Sequence, residues 1–328
     1  MMYSRVIGTG SALPKERVSN DELAERLAQR GVETSDEWIR TRTGIETRYI
    51  ARPGEGETTT ALAVEASRKA LEAAGLEASA IDLIIVATTT PDRVFPSTAC
   101  QVQAAIGAPG SAAFDIQAVC AGFVYALNVA DSMIRAGGYR RALVIGAETL
   151  SRVLDWNDRT TCVLFGDGAG ALVLEASEEP GILSAKLYAD GRHDENVLGL
   201  DAHLVDGETT GCPFIRMDGR QVFKLAVDGL TKSAQAVCEE AGVATSDVKC
   251  FVPHQANLRI MTMVAKKLGI EDANMVKTVA THGNTSAASV PLALDWAVRN
   301  GRVKAGDLAL LQGVGAGMAW GSVLLRWN

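Results

Sequence analysis

Cys120 lies in the segment Phe114-Asp115-Ile116-Gln117-Ala118-Val119-Cys120-Ala121-Gly122-Phe123, where an apolar strand gives way to a helix. A thiol at a helix N-terminus feels the positive end of the dipole, and its pKa can fall from ~8.5 into roughly the 3.5–7.5 range. The thiolate would then serve as the nucleophile of a covalent acyl intermediate. Ala118, Ala121 and Gly122 leave room for a substrate beside it. The competing reading is a small core hydrophobe, the usual fate of an unpaired thiol. Local sequence does not separate the two.

Two further segments carry polar groups. His254 follows the apolar run Cys250-Phe251-Val252-Pro253 and precedes Gln255-Ala256-Asn257. That is the C-terminal end of a strand, where α/β sheets gather ligands. His282 and Asn284 stand in Thr281-His282-Gly283-Asn284-Thr285-Ser286-Ala287-Ala288-Ser289, a polar turn of small residues before another helix. Taken singly, each reads equally as a hydrogen-bonded turn residue.

Other chemistries fit poorly. Gly8-Thr9-Gly10-Ser11-Ala12-Leu13 has Leu at the third glycine of a dinucleotide fingerprint, with Pro14 where a helix should run. Gly166-Asp167-Gly168-Ala169-Gly170 leads into a strand, whereas a phosphate cradle needs a helix N-terminus. Both are expected to be tight turns or close backbone contacts. The six cysteines include no CxxC pair, so neither a metal site nor a disulfide framework is expected. A net charge of -7 argues against a nucleic-acid partner. The opening MMYSRVIGTGSALP lacks the basic and long apolar regions of a signal peptide. No apolar run is long enough to span a membrane. A cytoplasmic location is expected.

These residues need a frame. At 328 residues the chain calls for two cores or one large layered domain. Strands are expected at Tyr3–Thr9, Ile81–Thr88, Ala112–Ile116, Arg141–Ala147, Cys162–Glu175, Val248–Val252, Asp307–Gln312 and Ala319–Arg326. Helices are expected at Thr58–Ala74, Cys120–Ala136, Val222–Ala241, Asn257–Leu268 and within Ser286–Arg299. The alternation indicates α/β layers. Asp190–Cys212 has no clean periodicity and reads as loop.

The two halves keep register. Val86 and Val252 are 252 − 86 = 166 positions apart, Leu143 and Leu308 are 308 − 143 = 165, and Cys120 and Thr285 are 285 − 120 = 165. Two copies of one unit are therefore expected, 1–175 and 176–328. If they face each other across a pseudo-twofold axis, Asn284 meets Cys120.

The chain resembles the β-ketoacyl-acyl carrier protein synthase III family, the initiating condensing enzymes of fatty-acid synthesis in the thiolase superfamily. The likeness is carried by Ile7-Gly8-Thr9-Gly10-Ser11, Thr34-Ser35-Asp36-Glu37-Trp38-Ile39, Thr41-Arg42-Thr43-Gly44-Ile45, the Cys120 segment and Phe165-Gly166-Asp167-Gly168-Ala169-Gly170. It continues through Val252-Pro253-His254-Gln255-Ala256-Asn257-Leu258-Arg259 and the His282–Ser289 turn, so it covers nearly the whole chain.

The resemblance implies a thiolase-like layered α/β fold of two βαβ-type halves, and a catalytic trio of Cys120, His254 and Asn284. It implies acylation of Cys120 by acyl-CoA, with an oxyanion held by the backbone N–H groups of Cys120 and of Ala316 in the Gly315–Gly317 turn. Decarboxylative condensation with malonyl-acyl carrier protein would follow, His254 and Asn284 holding the malonyl thioester oxygen. No cofactor or metal is implied, acyl-CoA being a substrate. Trp38 and Arg159 would sandwich the CoA adenine, with Arg42 near its phosphates. Lys224, Arg259, Lys266 and Lys267 would face the acidic carrier protein. Phe95 resembles a residue reaching into the acyl tunnel of a partner subunit, which implies a homodimer. The family commonly has three glycines and a Phe before Trp320-Gly321-Ser322; here Ala316 and Met318 stand in that run. This departure predicts an altered acyl pocket with a primer other than acetyl. A related condensing enzyme of secondary metabolism and a non-catalytic acyl-CoA-binding dimer are the alternative readings.

Overall fold

A computed structural model describes residues 2–193 and 197–328. In chain order the elements are β1 (Tyr3–Ala12), β2 (Glu16–Ser19), α1 (Asn20–Ala28), α2 (Asp36–Thr43), β3 (Thr47–Ile50), α3 (Thr59–Ala74), β4 (Leu83–Ala87), α4 (Thr98–Ile106), β5 (Ala112–Ile116), α5 (Gly122–Arg135) and β6 (Arg141–Thr149). There follow β7 (Asp167–Ser177), β8 (Ile182–Ala189), β9 (Leu198–Val205), β10 (Glu208–Met217), α6 (Gly219–Glu240), β11 (Cys250–Pro253), α7 (Leu258–Leu268), α8 (Val279–His282), α9 (Ser289–Arg299), β12 (Leu308–Gly315) and β13 (Ala319–Arg326).

Two sheets carry the architecture, one ordered β1-β7-β6-β4-β5 and the other β8-β13-β12-β11. The first has β6, β4 and β5 parallel and the second β12 and β11, each continued by two antiparallel strands, and the registers coincide. Val86 pairs with Ile145, and 166 positions on (252 − 86 and 311 − 145) Val252 pairs with Leu311. The strands are apolar on both faces because both faces are covered. Ile84, Val86, Leu143 and Ile145 of the first sheet pack under α3. Leu83, Ile85, Val144 and Leu172 point the other way, into a central layer of α5 and α9. Beneath that layer lies the second sheet, with α6 on its far face and α7 packed against α6. The result is five alternating layers, α-β-α-β-α.

Local chemistry sets the joints. Thr58 caps α3 by accepting from the Ala61 N–H, and Gly75 closes the helix in the left-handed region at φ 65°. Gly8 and Gly10 are contact residues, as expected, since a Cβ on either would lie 2.3 Å from a carbonyl oxygen of α3. A Cβ on Gly170 would likewise strike the backbone of α9.

Three expectations change. The strand expected from Cys162 begins only at Asp167, because backbone bonds between Leu164, Gly166 and Asn284 divert the preceding residues. The helix expected from Cys120 begins at Gly122, and Cys120 itself occupies a single 3-10 turn, Val119–Ala121. Most of Asp190–Cys212 is not loop: β9 and β10 pair as an antiparallel hairpin, although residues 194–196 lie outside the described set. Its strands are largely solvent-exposed, so no alternation of apolar residues announces them.

Candidate active site

Cys120 rests on a turn that strand geometry alone would not produce. Val119, a β-branched residue, is held at φ 47°, a strained left-handed conformation. The same 3-10 turn recurs at Ser286–Ala288, where Ser286 has φ 50° and α9 starts at Ser289. Aligning the two turns matches Val119 with Ser286 and Cys120 with Ala287, an offset of 287 − 120 = 167. The counterpart of Cys120 is therefore Ala287, not Thr285 as the sequence offset suggests.

Glycines let each turn press on the opposite sheet. A Cβ on Gly315 of β12 would lie 2.6 Å from the Cys120 nitrogen, and one on Gly146 of β6 would lie 2.2 Å from the Ala287 carbonyl oxygen. The interlock brings Cys120, His254 and Asn284 to one cavity of about 740 Å³. Ala316 and Met318 line it beside Cys120, and Leu198, Leu200, Ile215 and Met217 of the hairpin supply part of its wall.

Each polar side chain is oriented by a second group. The Asn284 Oδ1 accepts the Ser286 N–H at 2.9 Å, which turns the amide NH₂ toward the cavity. His254 is buried, with its Nδ1 2.5 Å from the Ser289 Oγ. Because that oxygen also accepts the Gln255 N–H at 3.3 Å, its own proton is free for Nδ1, leaving the proton of the ring on Nε2. Gln255 locks the loop behind, its Oε1 accepting from the Thr278 and Val279 N–H groups. Burial pulls the His254 pKa down to about 3, so the ring is neutral at physiological pH.

The thiol differs from expectation. Burial pushes Cys120 up to about 12, the Glu148 carboxylate adds to the rise, and a hydrogen bond with Ser286 opposes it. The free thiol is thus protonated at rest, since desolvation outweighs the short helix-end field. His282 does not line the cavity; it is partly buried, edge-on to Tyr49, with desolvation lowering its pKa to about 4.

Trp38 and Arg42 lie near the cavity mouth, where the Asn257 side chain, itself lining the cavity, donates to the Arg42 carbonyl at 3.0 Å. The Arg42 and Arg159 guanidinium carbons sit 4.5 and 4.6 Å from the centre of the Trp38 ring. Trp38 and Arg159 are thus already in contact, and a base inserted between them must move one. Lys224 on α6 and Arg259, Lys266 and Lys267 on α7 are exposed on neighbouring helices. Phe95 is 82% exposed and stays outside the cavity of its own chain.

Residues 114–191 match the family described as 3-oxoacyl-[acyl-carrier-protein] synthase III, and residues 238–327 match its C-terminal part. The chain is 59% identical, over 99% of its length and 98% of the relative's, to the β-ketoacyl-[acyl-carrier-protein] synthase III of Bordetella petrii. It belongs to the β-ketoacyl-acyl carrier protein synthase III family. The enzyme is accordingly a condensing acyltransferase that initiates fatty-acid synthesis. Its thiolase-like fold is also that of the 3-oxoacyl-[acyl-carrier-protein] synthase III of Aquifex aeolicus, with TM-score 0.92, 48% identity, and coverage of 99% of this chain and 100% of that one. The priming β-ketosynthase of the R1128 polyketide pathway superposes with TM-score 0.92 at 38% identity, covering 99% and 96%. Among the described residues, no helix is long and apolar enough to cross a membrane.

Several residues of this synthase site carry no obvious signal. Ser286 and Ser289 were visible only as part of a small-residue turn. Glu148 had a clue, being the one charge at the end of the apolar run Leu143–Ala147.

Proposed function

We propose that the enzyme works through an acyl-Cys120 intermediate, loaded from acyl-CoA and discharged onto malonyl-acyl carrier protein. The observation that carries this reading is the shared cavity, in which a buried thiol faces two neutral donors, His254 Nε2–H and the Asn284 amide. Cys120 attacks the thioester carbonyl, and the backbone N–H groups of Cys120 and Ala316 receive the oxyanion. After CoA departs, His254 and Asn284 hold the malonyl thioester oxygen while carbon dioxide leaves. A neutral imidazole suits this role because it donates without protonating the enolate. The carbanion then attacks the acyl carbonyl on Cys120, and the product is a 3-oxoacyl thioester.

Trp38, Arg42 and Arg159 would bind the CoA nucleotide at the mouth, and Lys224, Arg259, Lys266 and Lys267 would draw the acidic carrier protein. Val94 and Phe95, 86% and 82% exposed, precede α4, whose first N–H groups donate to Asp115 of the edge strand β5, and we assign that face to a homodimer. The work is assigned to the cytoplasm, where both thioesters are made and used.

Intact-protein mass measurement tests the intermediate. Acyl-CoA should add one acyl group to Cys120, and malonyl-acyl carrier protein should remove it as a 3-oxoacyl product. Cys120→Ser should abolish loading while keeping the native melting temperature; loading of the serine variant at the native rate overturns the assignment.

A second reading concerns the primer. Met318 is buried in the cavity wall, where the family commonly has Phe, and a thioether yields more readily than a ring. Ala316 keeps a negative φ, between Gly315, which cannot bear a Cβ, and Gly317 at φ 121°. Its methyl group changes the wall rather than straining the backbone. A primer longer than acetyl is expected to give the highest rate in an acetyl- to octanoyl-CoA series, and Met318→Phe should shift the optimum toward acetyl.

A further inference from the structure

Glu148 ends β6 with a carboxylate fully shielded from solvent, and its partners are all neutral. Its oxygens accept from the Thr89 and Thr90 N–H groups, from the Thr89 and Thr90 hydroxyls, and from Ser286 Oγ at 3.1 Å. A buried carboxylate with no cation is costly, and a protein keeps one where its charge does something. Arg152, which follows β6, is spent on the carbonyls of Thr90 and Pro91 and on Asp92.

Ser286 donates to Glu148 and lines the cavity with Cys120, its turn packed against the Cys120 turn and its hydroxyl opposing the rise of the thiol pKa. Its left-handed backbone, fixed through the Asn284 side chain, aims it there. His254 cannot serve the thiol as base, since its Nδ1 is taken by Ser289 and its Nε2 already carries hydrogen. Among the described residues this leaves one route out for the proton of Cys120.

We propose that Ser286 and Glu148 form a proton relay that stores the Cys120 proton for the lifetime of the acyl-enzyme. The inference rests on the acyl-Cys120 reading above. As sulfur bonds to the acyl carbon, the S–H proton passes to Ser286 Oγ and the Ser286 hydroxyl proton passes to the Glu148 carboxylate. The bond between the acyl carbon and the CoA sulfur breaks with its electron pair on CoA, which leaves as a thiolate and takes a proton from water. In the second half the carbanion displaces Cys120 as a thiolate, and the stored proton returns through Ser286 to restore the thiol. Burial, which raises the affinity of Glu148 for a proton against the pull of its threonine donors, equips it as the store. Cys120 is the titratable group that faces Glu148 across the relay.

Single-turnover acylation by acyl-CoA tests this, followed alongside decarboxylation of malonyl-acyl carrier protein across pH 6–9.5. Ser286→Ala keeps the N–H that orients Asn284, so it should slow acylation about 100-fold while decarboxylation stays within threefold. Its acylation rate should climb with pH as hydroxide replaces the relay. Glu148→Gln should act likewise, and Glu148→Asp should restore most of the rate; should Glu148→Gln not fold, Ser286→Ala decides. Unchanged acylation in Ser286→Ala overturns the relay, and so does a parallel fall of both half-reactions, which marks a structural role. A wild-type protein that never acylates overturns the acyl-Cys120 reading instead.

Discussion

His254 shows how a single hydroxyl sets the chemistry of a ring. With Ser289 satisfying Nδ1, the imidazole presents a fixed donor, and loss of that hydroxyl frees the tautomer. Ser289→Ala is expected to lower decarboxylation about tenfold, within the range for loss of an orienting partner, and to leave Cys120 acylation near the native rate. The depressed pKa has a stability sign. Its folded value is about 3 against an ordinary 6.5, so the unfolded chain takes the proton first. The contribution is complete above pH 6.5 and is lost as pH falls toward 3. Urea unfolding at pH 7 and pH 4.5 should therefore show a smaller acid loss in His254→Asn than in the native protein. At this scale the sequence reveals Cys120, His254 and Asn284 but not their supports. Ser286 and Ser289 matter through a turn conformation and a register that only the folded chain defines. The Cys120 pKa was misjudged because burial depends on elements as far as 315 − 120 = 195 positions away, while the dipole argument sees only neighbours.

Elements with one apolar pattern and a clear cap were legible: β5 and β13 match their expected bounds, and α3 starts one residue after its cap. The hairpin of β9 and β10 was not, because water rather than a core covers much of its surface. Nor were the short pair β2 and β3 and the helices α1, α2 and α4. The close seating of β1 on α3 is testable. Gly10→Ala places a methyl group 2.3 Å from the Ala66 carbonyl oxygen and should cost about 3 kcal/mol. Gly54→Ala, with nothing within 4 Å, should stay within about 0.5 kcal/mol. Equal melting temperatures for the two would show that the first sheet yields at that joint.

Across the whole molecule, the near-constant offset between the halves was readable because matched strands keep matched apolar registers. The two-residue error at the Cys120 turn arose because a turn, unlike a ladder, can absorb extra positions. The proposed homodimer is testable at the exposed Phe95. If that face joins two copies, Phe95→Asp should give a monomer by light scattering where the native protein gives a dimer, and an unchanged mass would place the interface elsewhere.

The hairpin over the cavity carries a consequence for how such an enzyme diversifies. The floor of the site is locked, because Gly146 and Gly315 sit against backbone atoms that no side chain could tolerate. The hairpin has mainly solvent on its outer side and contributes small and aliphatic side chains to the wall. Mutations can therefore accumulate in it with little loss of stability while reshaping the space available to a substrate. Reaction type is inherited with the floor, and substrate range drifts with the roof.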